Sequence, residues 1–384
     1  MLMGGSGRGV GRRSLLTAAL GTTLALTLTA PARAAHGRRV FGRYGSPAAR
    51  LDARTLYVDA AGAGDFTTVQ AAVAAAGGTS PAVSTGGGSG YTLVIAPGVY
   101  RETVAVSVAR TGMTWIGASD NARDVVVVYD NAAGTPKPGG GTYGTTGSAT
   151  TLVQADGFTA RDITFANDWL RADHPEISGT QAVAIKVQGD RAAFLRCRFL
   201  GHQDTLYADS MALGTFARQY FRDCYAEGDV DFVFGRATAV FERCRFHTLT
   251  RTDLGSAPYG FVFAPSTAGA NPRGYLVTGG RITSEAPDAS YKLARPWVPS
   301  SDTTARPMLT VRESHLGRGI DAVAPYTNMS AGFPWQDQRF AEYRNIGPGA
   351  VVSVPENRPQ LTRAEAASAT REAYLGAWTP WERC

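Results

Sequence analysis

The feature that most constrains this chain is a repeat. The segments "AAFLRCRFLG" (192–201), "QYFRDCYAEG" (219–228) and "AVFERCRFH" (239–247) each set an aromatic or aliphatic pair before a cysteine and another aromatic within two residues after it. The cysteines stand 27 and 20 residues apart, and related pieces flank them: "GFTARDITFAND" (157–168), "GYLVTGGRITSE" (274–285) and "PMLTVRESHLGRG" (307–319). Short apolar strands recurring at this period, each bounded by glycine or polar turns, are the mark of a solenoid in which a coil buries its inward side chains only by stacking on its neighbours. The repeat therefore predicts an all-β chain wound as a single-stranded parallel β-helix. Forty-five glycines in 384 residues agree with many turns rather than long helices.

The two ends read as short capping helices. "DFTTVQAAVAAAGG" places Val69, Ala72, Val73 and Ala76 at helical spacing and stops at glycine. Near the other end, Thr362 with Glu365 three positions on fits a capping box. "STGGGSG" (84–90) and "GTPKPGGGTYGTTGSA" (134–149) are surface loops without the strand–glycine–helix context of a phosphate cradle. No linker divides the chain, so residues 55–384 are expected to form one β-helix domain after an N-terminal extension over 35–54.

Residues 1–34 read as an export signal. Arg12 and Arg13 precede the apolar run Leu15–Ala30, and Ala32-Arg33-Ala34 closes it. The paired arginines suggest the twin-arginine type, and the run is shorter than the roughly 20 residues that span a bilayer. The expected location is outside the cell, with no membrane association once the signal is removed. The signal holds four arginines and no acids, so 34 basic and 32 acidic residues remain and the net charge falls from +6 to +2. With no long basic run, nucleic acid is an unsupported partner. The four cysteines lack metal-ligand spacing. In an exported protein Cys224 and Cys244 read equally well as a disulfide and as buried free thiols.

Familiar hydrolytic motifs are missing: there is no G-x-S-x-G and no H-E-x-x-H, and the five histidines are scattered singly. Carboxylates and amides on successive coils remain. Gln181 in "GTQAVAIKV", Gln203 and Asp204 in "GHQDTLYA" and Asp231 in "GDVDFVFG" are spaced by 23 and 27 residues, about one coil each. Equivalent positions one coil apart lie roughly 4.8 Å from each other, so the solenoid aligns these groups on one face. Regular alternation from Glu227 to Phe241 puts Val230, Phe232 and Phe234 on a core face and Asp229, Asp231 and Val233 on the other. Gln203 and Asp204 are adjacent, so the backbone must bend there for both to serve one site. Two neighbouring carboxylates push their pKa values apart into a base or nucleophile and a protonated acid, and amide donors suit a developing oxyanion. Together these parts describe acyl transfer at an ester. A ladder of solvated polar residues accounts for the same spacings equally well.

With those residues assembled, the chain resembles the pectin methylesterases, which are right-handed parallel β-helix enzymes. The resemblance runs in order through "PGVYRE" (97–102), "QAVAIKV" (181–187), "GHQDTLY" (201–207), "VDFVFG" (230–235), "LARPW" (293–297) and "EYRNIGPGA" (342–350). It implies that Asp231 is the nucleophile toward a methyl ester and Asp204 the general acid and then base. Gln181 and Gln203 would be oxyanion donors, and Arg295 the hydrogen-bond partner of the nucleophile. Trp297, Tyr207, Phe234, Arg251, Thr145 and Met329 would meet the sugar. It also implies a Cys224–Cys244 disulfide. No cofactor is expected, and the expected partner is methyl-esterified homogalacturonan (pectin), acted on by a monomer. Tyr100 and Glu102 are assigned to a turn near the N-terminal cap and Phe232 to the core.

Two positions depart from the family pattern. Arg236 stands where asparagine or aspartate is usual, which bears on subsite preference, and Ala294 replaces a glycine, which matters if that position has positive φ. Arg295 lies 64 residues past Asp231, two or three rungs of uninterrupted coil, unless an excursion within 251–274 absorbs much of that length. The competing readings are a β-helix ester or thioester hydrolase without pectin specificity and a non-catalytic carbohydrate-binding β-helix. The second predicts loss of Asp204, Asp231 or Arg295, and all three are present. A calcium-dependent polysaccharide lyase lacks an acidic cluster here.

Overall fold

The computed structural model describes residues 40–49, 52–77 and 90–383. The export signal and nearly all of the 84–90 loop lie outside them. Among the described residues the strands form three parallel sheets of ten, eight and seven strands. The central chain visits them in rotation. Thr159–Arg161 lies in the first sheet, Thr164–Asn167 in the second and Ile185–Val187 in the third; Ala192–Leu195 then returns to the first, beside Thr159–Arg161. Each such coil contributes one strand to every face of a parallel β-helix, as the repeat predicts.

The repeat's aromatics explain why the coils stack. Phe194, Phe221 and Phe241 fall on successive strands of the first sheet, with ring centroids 5.0 and 4.7 Å apart and planes within 6° and 15°. That is the inter-strand spacing, so each ring buries both faces only when a coil lies above and below. Cys197, Cys224 and Cys244 follow the same register, because Arg198, Tyr225 and Arg245 are ladder partners. All three are buried free thiols, so the implied Cys224–Cys244 disulfide is not formed. Cys224 Sγ donates to the Phe194 carbonyl at 3.3 Å and Cys244 Sγ to the Phe221 carbonyl at 3.4 Å. Each thiol is thus engaged with the main chain of the preceding strand rather than joined to the other sulfur. Burial pushes the Cys197 and Cys224 thiols well above their ordinary pKa.

From the coil of Thr159–Arg161 onward, the chain turns from the first sheet to the second through a left-handed residue, and glycine rarely supplies it. Asp162, Arg196, Asp223, Arg243, Glu313 and Arg344 all occupy this corner with φ between 50° and 59°, and Gly279 takes the equivalent place with φ 62°. A left-handed conformation costs a side-chain-bearing residue about 1–2 kcal/mol. Here the charges alternate down the column. Arg196 pairs with Asp162 at 2.6–2.7 Å and Arg243 with Asp223 at 2.6–2.8 Å, which offsets part of that strain.

The N-terminal helix is Val69–Ala75, capped by Thr68, and it buries Val69, Ala72 and Val73 in the main core. Glu102 accepts from the Val69 and Gln70 amides at 2.7 and 2.8 Å, and the Tyr100 hydroxyl donates to the Ala96 carbonyl at 2.9 Å. The motif "PGVYRE" thus works at the cap, as expected. The Thr362–Glu365 capping box is also present. Two short helices follow, Arg363–Ala366 and Arg371–Leu375, and the second carries Tyr374 and Leu375. These two pack on the outer face of the first sheet against Leu195, Tyr220, Val240 and Leu276. Among the described residues no helix is long and apolar enough to cross a membrane.

Candidate active site

The outer face of the seven-stranded sheet carries a cavity of about 640 Å³. Its lining includes Gln181, Gln203, Asp204, Asp231 and Arg295, together with Thr145, Tyr207, Phe234, Trp297 and Met329. One residue expected at the site is elsewhere: Arg251 does not line the cavity, and its guanidinium is held by Asp253 at 2.5–2.8 Å. A second cavity of about 590 Å³ continues from the first through the shared residues Gly144 and Thr145. The whole is a groove running over several coils.

The backbone sets the carboxylates. Leu206 and Val233 are ladder partners, so Asp204 and Asp231, each two residues earlier, are coil equivalents. Both are left-handed, with φ 66° and 51°, and the Asp204 amide donates to the Val230 carbonyl at 3.0 Å. Aspartate tolerates this conformation better than most residues. The bend required at Gln203-Asp204 is therefore real, and its counterpart at Asp231 overturns the expected alternation. Phe232 and Val233 both enter the interior, fully buried, and Phe234 turns outward to stack on Tyr207 at 4.0 Å. The strand itself is only Val233–Gly235, so Asp231 sits in the turn that launches it rather than mid-strand.

Arg295 grips Asp231 with two parallel hydrogen bonds, Nε to Oδ1 at 2.8 Å and Nη2 to Oδ2 at 2.7 Å. The ladder pairs Val233 with Phe263 and Phe263 with Ala294, so the arginine belongs to a coil two rungs further on. Its guanidinium crosses the intervening coil over the ring of Phe261, 3.8 Å from the centroid. The 251–274 segment is part of a full coil and does not absorb the separation; the long side chain does. Ala294 lies in the strand Tyr291–Ala294 and is not among the left-handed residues, so its methyl group carries no backbone strain.

Burial pushes Asp204 well above the ordinary carboxylate range, and the Asp231 charge beside it adds to the shift. Burial also raises Asp231, but the hydrogen bonds and charge of Arg295 oppose it. Arg295 hydrogen-bonds only Asp231, so of the two carboxyls Asp231 is the readier to ionise and Asp204 the readier to hold its proton. Beneath them lies Asp229, which the alternation placed on the outer face. Its side chain is buried and pairs with both Arg171 nitrogens at 2.7 and 2.9 Å, with His202 Nδ1 at 3.3 Å and with the Val230 amide at 2.6 Å. Burial pushes Asp229 up, and His202 and Arg171 overcome it and hold the carboxyl well below its ordinary range.

Sequence reasoning missed Thr180. Its hydroxyl donates to Gln203 Oε1 at 2.6 Å, which leaves the Gln203 amide nitrogen as the end turned to the cavity. It missed Phe261, Arg171 and Asp229 as well, since each acts through a residue on another coil. His202, one of the five singly scattered histidines, contacts Asp229.

The remaining wall is aromatic and cationic. Trp297 lies 6.1 Å from Tyr207 and 5.7 Å from Phe234, centroid to centroid. Lys186 Nζ sits 4.2 Å from the Tyr207 ring centroid and 3.2 Å from Asp209. Arg236 Nε lies 3.0 Å from the same Asp209. Gly235, with φ 118° and a hypothetical Cβ only 2.2 Å from the Ala208 carbonyl oxygen, makes the turn that brings Arg236 to the cavity. Among the described residues no group of three or more histidine, cysteine or acidic side chains is placed to hold a metal.

The family pattern described as Pectinesterase matches residues 55–377. A pectinesterase of Ralstonia nicotianae (strain ATCC BAA-1114 / GMI1000) is 34% identical over 321 residues, covering 76% of this chain and 79% of that one. Pectinesterase A of Dickeya dadantii (strain 3937) is 33% identical over 342 residues, 82% and 88% of the two chains. Among solved structures, a pectin methylesterase from Erwinia chrysanthemi superposes with a TM-score of 0.73 at 31% identity, covering 86% of this chain and 99% of that one. A pectin methylesterase solved in complex with a hexasaccharide gives 0.72 at 31% identity, with 85% and 98% coverage.

Proposed function

The chain belongs to the pectinesterase family and is a carboxylic-ester hydrolase, and from that premise we propose that it removes methyl groups from esterified polygalacturonate, with Asp231 as nucleophile and Asp204 as acid and base. The observation that carries this reading is the pairing of a buried carboxylate, doubly hydrogen-bonded to Arg295, with a second carboxyl on the preceding coil that burial drives toward its acid form.

An Asp231 oxygen attacks the methyl-ester carbonyl carbon. Negative charge gathers on the carbonyl oxygen, where the amide nitrogens of Gln181 and Gln203 are the available donors. Asp204 gives its proton to the departing methoxide, and methanol leaves an acyl–Asp231 anhydride. Now ionised, Asp204 takes a proton from water as the oxygen attacks the acyl carbon. Asp231 leaves as its carboxylate, Asp204 keeps the proton taken from water, and the uronic acid released gives up its own proton to solvent. Trp297, Tyr207, Phe234, Thr145 and Met329 would support the sugar. Arg251, bound to Asp253 outside the cavity, is the weakest of the expected sugar contacts.

The same reading makes residues 1–34 an export signal and has the mature chain work outside the cell as a monomer. The experiment is methanol release from highly methylated pectin, run beside hydrolysis of a simple aryl ester. Asp231→Ala is expected to lose methanol release while keeping its circular dichroism spectrum. Substantial residual turnover in that variant overturns the nucleophile, and a wild-type enzyme active only on the aryl ester overturns the substrate.

A further inference from the structure

We infer that Arg236 is a recognition site for a free carboxylate on a second uronate unit of the chain whose ester is being cut; this rests on the esterase reading above. Two cations, Lys186 and Arg236, share the single carboxylate of Asp209, at 3.2 and 3.0 Å. All three are withdrawn from solvent, with side-chain exposures of 5%, 16% and 4% in that order. Elsewhere in the cavity Arg295 is paired with Asp231, and burial drives Asp204 toward its uncharged acid form. The Lys186–Asp209–Arg236 group is thus left one positive charge in excess, and Arg236 is its member on the cavity lining.

The crowding sets the two cations against each other. Burial pulls Lys186 below its ordinary range and the Arg236 charge pulls the same way, against Asp209. An arriving anion would relieve that conflict. Guanidinium is the suitable partner, since its planar fork matches a carboxylate and its charge does not depend on pH. Its Nε lies beside Asp209 and the guanidinium also interacts with Tyr207, and the residue lines the cavity that the substrate would enter. In a partly water-excluded wall such a contact is stronger than at an open surface. The neutral methyl ester of the same sugar offers Arg236 no charge, so the site distinguishes acid from ester at one position along the polymer.

The test compares kcat/KM for methanol release from a fully methyl-esterified oligogalacturonate and from one in which ester and free-acid units alternate. The wild-type enzyme is expected to favour the alternating oligomer. In Arg236→Gln, which leaves Lys186 and Asp209 as a balanced pair, the ratio of the two values should fall about tenfold, the weight of one charge-assisted hydrogen bond. Arg236→Lys keeps the charge and should retain part of the preference. An unchanged ratio in a folded Gln variant overturns the proposal, as does a wild-type enzyme that prefers the fully esterified oligomer, a result readable even if the variant does not fold. Absence of methanol from both oligomers with wild-type enzyme would instead overturn the esterase reading itself.

Discussion

Arg295 reaches Asp231 from two coils away, passing over the ring of Phe261 to make hydrogen bonds of 2.8 and 2.7 Å. The ion pair therefore straps three rungs of the solenoid together at the point of chemistry. Burial raises Asp231 and Arg295 opposes it, so the arginine sets how far the pH can fall before the carboxylate is protonated. Arg295→Gln removes that opposition. The acid limb of kcat/KM is expected to move to higher pH, with activity at neutral pH lowered at least tenfold, about the value of one charge-assisted bond. Arg295→Lys retains the charge without the fork and should give a smaller shift. An acid limb that stays in place in the Gln variant would dissociate Arg295 from the ionisation of Asp231.

Phe261 is half-buried and offers its face to the crossing guanidinium at 3.8 Å. Such a contact contributes about 0.5–2 kcal/mol. It also removes alternative directions for a long, flexible side chain. Phe261→Ala should lower kcat by roughly three- to tenfold and move the acid limb in the same sense as Arg295→Gln, since a looser Arg295 holds Asp231 less firmly. Phe261→Tyr keeps the ring face and should behave like wild type. Pre-steady-state methanol release across pH distinguishes this from a general loss of packing, which would lower the melting temperature without shifting the pH profile.

The coil architecture was legible because its determinants are local and repeated. The pair before each cysteine and the aromatic after it recur on three successive coils, and Phe194, Phe221 and Phe241 stack as that repeat requires. The corners were less legible, since glycine is the usual signal of a left-handed residue. Here Asp162, Arg196, Asp223 and Arg243 do that work with paired charges. The same blind spot hid the bend at Asp231 and reversed the faces assigned to Val233 and Phe234. Adjacency of Gln203 and Asp204 exposed the equivalent bend one coil earlier, because two neighbours cannot share a face of a regular strand. The supporting residues were illegible for another reason. Arg171 meets Asp229 across 58 residues and Thr180 meets Gln203 across 23, so no window of sequence contains both partners.

Thr180 fixes which end of the Gln203 amide faces the cavity. If the nitrogen is to meet a developing oxyanion, the oxygen must find a donor elsewhere, and the Thr180 hydroxyl supplies one at 2.6 Å. Thr180→Val keeps the shape and removes the donor. The cost of one neutral hydrogen bond, about 1 kcal/mol, predicts roughly a fivefold fall in kcat with KM and melting temperature little changed. Thr180→Ser should restore the rate. A rise in KM with kcat intact would mean that Thr180 serves ground-state binding and not amide orientation.

Asp204 should trade stability for activity in a pH-dependent way. Burial and the neighbouring Asp231 raise its pKa well above the ordinary value, so folding takes up a proton at this site. The sign follows from linkage: a group with a raised folded pKa contributes its full stability below the unfolded value, roughly 3.9, and loses it as pH rises through the folded value. Asp204→Asn imitates the acid form at every pH and does not undergo that loss. The variant is expected to release no methanol. Its melting temperature should equal that of wild type in acid and exceed it increasingly toward neutral and alkaline pH, the pattern of a catalytic group held in a site unfavourable to its charge. Melting curves of the two proteins across pH decide the matter. A difference that stays constant, or narrows as pH rises, would mean that Asp204 is ionised without penalty, and the assignment of acid and nucleophile between the two aspartates would then have to be reversed.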